Sequence, residues 1–261
     1  MILVVDVNNI NTVLGVFDGE TLIANWRLST LSSRTSDETG ILLRNLFKHS
    51  EVDIADIEAV VLSSVVPNVM YSLTKGISKY LKRDIMTVGA GMKTGINLRM
   101  ENPREMGTDR IVNLVAANEI YGGPAIVVDY STATTYDAIS EDGEFLTGVT
   151  APGLQICAEA LYKRAANLPR FEIKSVGSLI TKNTVDSLQV GLVLGHIGET
   201  LHIVRMIREE LGLPNMKVIA TGGLAKVIDE REKIFDVYDP VLSLQGLRLI
   251  YEKNKKSRHK R

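Results

Sequence analysis

The sequence predicts an α/β protein made of two similar halves, each with a mixed sheet that starts with a β-hairpin and is flanked by helices. Two observations indicate this fold. A buried-strand pattern that ends in an aspartate and a polar turn occurs at residues 2–17 and again at 125–137. Later in each half, residues 57–64 and 217–223 both read as a buried strand followed by helical sequence. Because the same elements recur in the same order, we predict a duplicated architecture.

The first half begins with an apolar run that ends at Asp6 and continues through a polar turn at residues 7–11. A second apolar run then leads to Asp18-Gly19, a dipeptide typical of hairpin turns. In the second half, Asp142-Gly143 follows Asp129 at almost the same distance. The spacing therefore predicts a hairpin at the start of each half.

Helices are predicted between the strands of the first half. One begins at Ser36-Asp37-Glu38, where acidic residues suit the positive end of the helix dipole. Its apolar stripe is predicted to comprise Ile41, Leu42, Leu46 and Phe47. Pro67 begins the next helix, and a glycine-rich connection follows at residues 89–95. Residues 91–95 superficially resemble a nucleotide loop, but they lack the spacing with which a P-loop wraps phosphates, so a P-loop is not predicted.

The polar turn after Asp129 is crowded with hydroxyl groups, which belong to Ser131, Thr132, Thr134 and Thr135. Such residues at a strand end offer backbone N–H groups and hydroxyls to a phosphate, and the carboxylate can hold the accompanying cation. The alternative interpretation is an ordinary β-branched strand with one polar face. Recurrence of the pattern after Asp6 favours the phosphate interpretation.

Two charged residues lie at the predicted start of a further helix. Gly107 and Thr108 precede this helix, so Asp109 and Arg110 belong to its first turn. An aspartate there ordinarily complements the helix dipole, and this explanation stays open. Arg110 is locally unfavourable at the positive end of a helix, which indicates another role. The functional interpretation is that Arg110 holds an anionic substrate while Asp109 accepts a hydroxyl proton.

Composition and residue spacing argue against several classes of protein and of site. The chain has 261 residues and a formal net charge of −1, which is typical of a soluble globular protein and gives no electrostatic reason to expect nucleic acid as a partner. The lone Cys157 excludes an intrachain disulfide framework. The four histidines show no spacing typical of a metal site or a catalytic triad. The basic tail, residues 253–261, is expected to be a solvated, disordered end.

Targeting signals give a further expectation. The N-terminus enters a strand without a basic leader and apolar region, and no uninterrupted apolar run reaches the ~20 residues that span a membrane. We therefore expect a cytoplasmic protein with no membrane partner.

Short segments across nearly the whole chain match one family in order. They are residues 6–13, 102–105, 107–110, 129–135, 150–154, 183–184 and 220–225. In these segments the sequence resembles the type III pantothenate kinases, a bacterial family of the acetate/sugar kinase, Hsp70 and actin superfamily. The resemblance implies two ribonuclease H-like (actin-like ATPase) halves with a ligand cleft between them. We place the first domain at residues 1–117 and the second at 118–261.

The resemblance also implies an activity and a set of site residues. The activity is transfer of the ATP γ-phosphoryl group to pantothenate, which gives 4'-phosphopantothenate in the first step of coenzyme A synthesis. Asp109 would be the general base, Asp6 would organise Mg²⁺ with the phosphates, and Asp129 would bind a monovalent cation, K⁺ or NH₄⁺. ATP would contact Asp6, Val7, Asn8, Asn9, Ile10, Asn11, Thr12, Val13, Thr132, Gly222 and Gly223. Pantothenate would contact Met100, Gly107, Thr108, Asp109, Arg110 and Thr184. A homodimer is implied because the partner completes the family's substrate pocket.

Four positions depart from the family pattern. Asn8 and Ser131 replace glycines, Ile10 replaces a threonine, and Met100 replaces an aromatic residue. Asn8 was expected to keep the turn because asparagine tolerates a positive φ. Since all four positions would face ligands, two alternatives to the implied activity stay open. One is a non-catalytic or weakly active relative that acts as a binding or regulatory protein, and the other is a kinase for another small hydroxyl substrate.

Overall fold

The structure is a computed structural model that describes residues 1–175, 177–230 and 232–258. The chain forms two compact units. Unit 1 consists of Met1–Gly95, Glu101–Ala116 and the last helix, Leu242–Arg258, while unit 2 consists of Ile96–Met100 and Ala117–Val241.

Unit 1 is built on a five-stranded mixed sheet with the strand order β3-β2-β1-β4-β5. Its strands are β1 (Ile2–Val7), β2 (Asn11–Asp18), β3 (Thr21–Ser29), β4 (Ala59–Ser64) and β5 (Ile85–Thr87). The first three strands pair antiparallel, and β1–β4 and β4–β5 pair parallel. Strand β1 is therefore central, and all six of its residues are buried.

Both faces of β1 are covered by helices, namely α1 (Ser36–Lys48), α2 (Pro67–Tyr80), α3 (Thr108–Ala116) and α7 (Leu242–Arg258). Leu3, Val5 and Val7 pack in the core that α1 and α2 cover. Because side chains alternate along a strand, Val4 and Asp6 point to the opposite face, where Leu244 of α7 packs beside Val4 and Gly15. The alternation thus directs Asp6 toward the side of the sheet that carries α3 and α7.

Helix α1 begins where the sequence predicts, with a capping box in which Thr35 and Glu38 satisfy each other's backbone N–H groups. Its predicted stripe is wrong at Ile41, whose side chain is 51 % exposed, whereas Leu43 is buried. The reason is close helix packing at Gly40, where an added Cβ would overlap the ring of Tyr80 on α2. That contact turns the Gly40–Leu43 side of the helix inward.

Unit 2 repeats this design. Its five-stranded sheet has the order β10-β9-β6-β7-β8. The strands are β6 (Ala125–Tyr130), β7 (Ala133–Ile139), β8 (Phe145–Pro152), β9 (Lys217–Thr221) and β10 (Val237–Tyr238). Strands β6, β7 and β8 pair antiparallel, and β6–β9 and β9–β10 pair parallel. Read from β8, the order matches that of unit 1 strand for strand. The predicted α/β fold with two similar halves is therefore confirmed.

The helices of unit 2 are α4 (Leu154–Arg164), α5 (Thr184–Leu211) and α6 (Ala225–Asp229). Helix α5 is long and apolar enough to cross a membrane by length and composition alone, and 44 % of its most apolar window is buried. Its buried residues Val193, Ile197 and Val204 pack against the β6–β7 hairpin in the second core. This composition is weak evidence for a membrane span, because the core helix of a soluble protein has the same character.

The last helix, Leu242–Arg258, belongs to unit 1, and the chain passes from unit 1 to unit 2 after Ala116. The domain division at residues 117 and 118 stays a prediction from the sequence. The expected disordered tail is wrong for residues 253–258, which continue α7, because the Lys255 ammonium binds Glu58 at 2.9 Å and Asn254 donates to the Lys93 carbonyl. Residues 259–261 of that tail lie outside the described residues.

We expect Gly246→Ala to destabilise the protein. A Cβ on Gly246 would overlap the carbonyl oxygen of Val112, which lies in the backbone of α3 and cannot move aside. The clash should outweigh the gain in helix propensity and lower the free energy of unfolding by about 1–3 kcal/mol. Urea denaturation measures the change. Asn45→Ala, at an exposed position of α1, serves as the control and should change stability by about 0.5 kcal/mol or less. Equal stability of the two variants would contradict this packing.

Candidate functional site

Asp6 is the most deeply buried of the predicted site carboxylates in unit 1. It lies near the carboxyl end of β1, in register with Val13 on β2 and Ser63 on β4, and its residue surface is 2 % exposed. Burial and, to a smaller extent, the charge of Asp109 raise its pKa to about 6, although the hydroxyl of Ser243 and the amide of Asn8 act in the opposite direction. An ionised carboxylate at this position is costly unless a cation or further donors accompany it.

The turn after β1 is held by hydrogen bonds to its backbone. Asn8 N–H donates to the Asn11 carbonyl at 2.9 Å, and the Thr30 hydroxyl donates to the Asn8 carbonyl at 2.7 Å. Among the residues that the structure describes, Lys82 is the non-glycine residue with a positive φ. Asn8 thus forms the turn with an ordinary backbone conformation, and its tolerance of a positive φ is not used.

Side chains of this turn differ in exposure. The Asn8 amide donates to Asp6 Oδ2 at 3.0 Å. Ile10 is 45 % exposed, and Asn9 is exposed beside it. Thr12 shares a 2.9 Å hydrogen bond with Thr30, and Val13 is half-buried. The turn therefore presents Asn9 and Ile10 to solvent and directs Asn8 inward to Asp6.

Asp109 lies in the first turn of α3, as predicted. Its Oδ1 accepts a hydrogen bond from the Arg110 backbone N–H at 2.9 Å. Burial raises the pKa of Asp109, while this hydrogen bond and the Arg110 charge oppose the shift. The carboxylate folds back over Gly107, where a Cβ would overlap Asp109 Oδ1. A glycine before this helix is thus required by the position of the carboxylate.

Serine and threonine hydroxyls join the start of α3 to the end of β4. The Ser63 hydroxyl donates to Thr108 Oγ1 at 2.9 Å, and the Thr108 hydroxyl in turn lies 3.3 Å from the Ser64 carbonyl. Since Ser63 is paired in register with Asp6, these bonds bring the first turn of α3 to the carboxyl end of β1. The structure therefore brings Asp6, Thr108 and Asp109 together within unit 1.

The residues of unit 1 fit a divalent cation that is shared with phosphates. Asp6 Oδ1 is buried and accepts no hydrogen bond from any described residue. Within the described ranges, no three His, Cys, Asp or Glu side chains are grouped closely enough to hold a metal ion. Mg²⁺ commonly takes one or two carboxylates and completes its shell with phosphate oxygens and water. Asp6 is suited to that kind of binding and not to a closed protein cage.

Unit 2 brings its own predicted residues to one edge of its sheet. Asp129 is half-buried near the end of β6, in register with Thr135 on β7 and Thr221 on β9. Gly222 follows β9 with a φ of +92°, and a Cβ there would overlap the Tyr130 carbonyl. The ends of β6 and β9 therefore approach each other through a glycine that no other residue can replace without strain.

The hairpin turn between β6 and β7 carries Thr132. Ser131 N–H donates to the Ala133 carbonyl at 3.1 Å, which closes the turn. Gly153 lies against it, where a Cβ would overlap the Thr132 carbonyl. Thr132 is half-buried, and Gly223, beside Gly222, is exposed. The predicted nucleotide residues of this unit thus surround the carboxyl ends of β6 and β9.

A buried polar network that sequence reasoning missed supports this turn. Tyr130 and Tyr136 both hydrogen-bond Thr200 Oγ1 on α5, at 2.5 and 3.1 Å, and Tyr136 also donates to Glu199 at 3.0 Å. Burial raises the pKa of both tyrosines, so their hydroxyls remain protonated. The network ties the strand after Asp129 to helix α5. Nothing in the local sequence pairs residues about 70 positions apart, so only the fold reveals it.

Three predicted substrate residues remain, and they lie on three different segments of the chain. Met100 is half-buried in the short segment Ile96–Met100 of unit 2. Thr184 is exposed at the first turn of α5, which Asn183 caps. Arg110 is half-buried on α3.

Sequence reasoning also missed Ser63, Thr30 and Ser243. Ser63 could have been found, because the strand at 57–64 was aligned with the strand that precedes Gly222. Thr30 and Ser243 have no such signal.

Comparison with known proteins gives a family. A family model described as type III pantothenate kinase matches residues 2–206.

Solved structures give the fold. A Campylobacter jejuni protein described as a Baf family transcriptional activator has a TM-score of 0.58 at 18 % identity, covering 98 % of this chain and 100 % of that one. A Sinorhizobium meliloti protein described as a 2-dehydro-3-deoxygalactonokinase has a TM-score of 0.62 at 12 % identity, covering 97 % and 96 %. MreB 5 of Spiroplasma citri bound to AMPPNP has a TM-score of 0.54 at 11 % identity, covering 100 % and 98 %. The prediction of two ribonuclease H-like halves of the actin-like ATPase type is confirmed.

We expect Asp6→Asn to stabilise the protein at neutral pH. The pKa of Asp6 in the folded protein, about 6, lies above its ordinary value of 3.8. The native state therefore binds a proton more tightly than the unfolded chain between these values, and the free energy of unfolding falls as pH rises through that window. Removing the charge should add about 1–3 kcal/mol at pH 7.5 and little near pH 4.

Urea denaturation of both proteins at several pH values between 4 and 7.5 tests this expectation. Asp18→Asn, at the exposed end of β2, is the control and should follow wild type throughout. A constant difference between Asp6→Asn and wild type at all pH values would contradict the raised pKa.

Proposed function

This chain belongs to the type III pantothenate kinase family, and we propose that it transfers the γ-phosphoryl group of ATP to the primary hydroxyl of pantothenate. The product is 4'-phosphopantothenate, and the reaction is the first step of coenzyme A synthesis. Membership of the family supports a phosphotransferase. The proposal adds that pantothenate is the acceptor of the phosphoryl group.

The observation that carries the proposal is the position of Asp109. Its carboxylate is held over Gly107 at the start of α3, and its charge acts on that of Asp6. A hydroxyl oxygen that attacks the γ-phosphorus forms the new P–O bond as the bond to the β–γ bridging oxygen breaks, and ADP leaves. The hydroxyl proton passes to the Asp109 carboxylate. A pKa raised by burial makes this carboxylate a better proton acceptor than an exposed aspartate.

In phosphoryl transfer the protein mainly positions the reacting groups and neutralises the charge of the phosphates. In unit 1, Asp6 would hold Mg²⁺ together with the phosphates, and its unpartnered Oδ1 supports that role. When bound there, the cation would neutralise charge on the phosphate oxygens. The cationic Arg110 beside Asp109 suits the carboxylate of pantothenate, with Gly107, Thr108, Met100 and Thr184 as the further contacts that we propose.

Unit 2 would supply nucleotide and monovalent-cation contacts. Thr132 and the Gly222-Gly223 turn lie at the same sheet edge as Asp129. Backbone at Gly222 has no Cβ to obstruct a flat ligand, which supports contact with adenosine. We assign a monovalent cation, K⁺ or NH₄⁺, to Asp129. AMPPNP, an ATP analogue, is bound by the MreB protein with the same fold, which supports ATP as the phosphoryl donor.

We also propose a cytoplasmic homodimer. Helix α5 exposes Gly191, Gly195 and Gly198 on one face, and apart from the adjoining backbone of the helix itself no described atom lies within 4 Å of a Cβ built on any of them. Their spacing places them on one stripe, which continues to Leu201 at 43 % exposure. A helix face of small and apolar residues fits close packing against a second copy about a two-fold axis.

Asn8 and Ile10 favour a second candidate, a relative with altered nucleotide use. The Asn8 amide already occupies one oxygen of Asp6, and Ile10 offers no hydroxyl to a phosphate. A non-catalytic binding protein would show this pattern, but it would have no need of Asp109 over Gly107. A kinase for another small hydroxyl substrate would keep Asp109 and differ in its acceptor.

The first test measures ADP release with pantothenate and millimolar ATP, with and without K⁺. We expect ADP release that depends on pantothenate and is stimulated by K⁺. Asp109→Asn should lower kcat by about 100-fold or more while the melting temperature is retained, because the proton acceptor is lost. ADP release with another hydroxyl acceptor only would overturn pantothenate as the substrate. Unchanged kcat in Asp109→Asn would remove Asp109 from the role of base.

Gly107→Ala gives a matched test of the same carboxylate. The added Cβ would displace Asp109 Oδ1, which is the end of a flexible side chain, so the loss of stability should be about 1 kcal/mol or less. Activity should nevertheless fall by about 10-fold or more, because the base is misplaced. Full activity in this variant would show that the position of Asp109 over Gly107 is not needed for turnover.

The dimer has its own test. Sedimentation velocity of the purified chain should give twice the mass of one chain, and Gly195→Arg should give monomers because the long side chain occupies the exposed stripe of α5. A monomeric wild type, or a dimeric Gly195→Arg variant, would refute the proposed use of this face.

A further inference from the structure

Asn8 makes a contact that its place in the turn does not require. Its side chain reaches back two residues, and Nδ2 donates to Asp6 Oδ2 at 3.0 Å. Asp6 is 2 % exposed, so this hydrogen bond lies at the edge of the core and not in open solvent. Buried hydrogen bonds to charged groups are among the stronger ones in proteins.

The backbone of Asn8 is held from both sides, which fixes where the amide points. Its N–H donates to the Asn11 carbonyl, and its own carbonyl accepts from the Thr30 hydroxyl. Thr30 is itself held by Thr12 and by a hydrogen bond from its N–H to the Ile10 carbonyl at 2.9 Å. The amide is therefore presented to Asp6 by a turn that is supported by β2 and by the residue that follows β3.

The two oxygens of Asp6 are in different situations. Oδ2 has the Asn8 donor, whereas Oδ1 is buried and finds no hydrogen-bond partner in the described part of the chain. A carboxylate held by a donor on one oxygen keeps one orientation. The other oxygen then remains available to a cation.

We propose that Asn8 is a positioning residue for the divalent cation. Its amide holds the Asp6 carboxylate in the orientation that leaves Oδ1 free to bind the metal. This inference rests on the proposed function only in placing Mg²⁺ at Asp6. Hydrogen bonds to a ligating carboxylate typically change metal affinity by about 10–100-fold. Asn8, which replaces the glycine of the family pattern, thus supplies a contact that a glycine cannot make.

The test uses Mn²⁺ as the probe and the full chain, with AMPPNP present and no pantothenate. Free Mn²⁺ is measured by electron paramagnetic resonance. We expect Asn8→Ala and Asn8→Gly to bind Mn²⁺ about 10–100-fold more weakly than wild type, because both lack the amide. Asp6→Asn, which removes the ligand, sets the baseline due to the nucleotide alone. Asn25→Ala, at an exposed position of β3, is the matched control and should bind as wild type does.

Comparison of Asn8→Ala with Asn8→Gly separates the loss of the side-chain amide from a change in backbone flexibility. Glycine loosens the turn and alanine does not, so an equal loss in both identifies the missing hydrogen bond as the cause. Circular dichroism should show that both variants are folded as wild type is, since position 8 is half-buried in a turn. In turnover, the variants should need more Mg²⁺ than wild type for half-maximal rate.

Wild-type Mn²⁺ affinity in Asn8→Ala would overturn the inference. It would also be overturned by a glycine variant that binds AMPPNP more tightly with unchanged Mn²⁺ affinity, because Asn8 would then only obstruct the phosphate. Absence of Mn²⁺ binding by wild type above the Asp6→Asn baseline would overturn it together with the proposed metal role of Asp6. Mn²⁺ binding that is weakened in the Asn8 variants, with no phosphorylation of pantothenate by wild type, would support the inference and refute the substrate.

Discussion

The candidate site in unit 1 depends on one costly feature, the burial of the Asp6 carboxylate at the end of a central strand. Neighbouring strands on both sides and helices on both faces keep water from this group, so its ionised form needs other partners. Each nearby polar residue can be understood as a response to that charge. Asn8 and Ser243 favour the ionised form, Asp109 opposes it, and the unpartnered Oδ1 leaves room for a cation. A buried carboxylate of this kind lowers the stability of the free protein and favours binding of a ligand that brings a cation.

Duplication explains why each unit contains its own cluster of candidate site residues. In each unit, a first strand ends in an aspartate and pairs antiparallel with the next strand and parallel with a later one. Carboxyl ends of parallel neighbours meet at the same edge of a sheet, so Asp6 meets Ser63 while Asp129 meets Thr221 and the following Gly222. The two copies have diverged in chemistry, since Asp6 is fully buried and Asp129 is half-buried beside a hydroxyl-rich turn.

Particular elements show how far sequence reasoning reached. Strand ends, hairpins and helix starts were predicted correctly from local signals such as Asp18-Gly19, Pro67 and the acidic residues at the start of α1. A prediction that needed the packing direction failed, since Ile41 is exposed because Gly40 lets α1 approach α2. The turn at Asn8 forms without a positive φ because Asn11 and Thr30 hold its backbone. In both cases a contact from another element decided the outcome.

The sequence by itself determined the repeat, the alternating strands and the family, and it singled out the candidate site aspartates, because these depend on periodicity and on short motifs. Only the tertiary structure decided what surrounds those aspartates. Helix α7 belongs to unit 1 and brings Ser243 to Asp6, and the Ser63–Thr108 hydrogen bond brings the start of α3 to the same strand end. Residues so distant in sequence leave no local signal, because their proximity results from how helices cover a sheet and not from the pattern of any one segment.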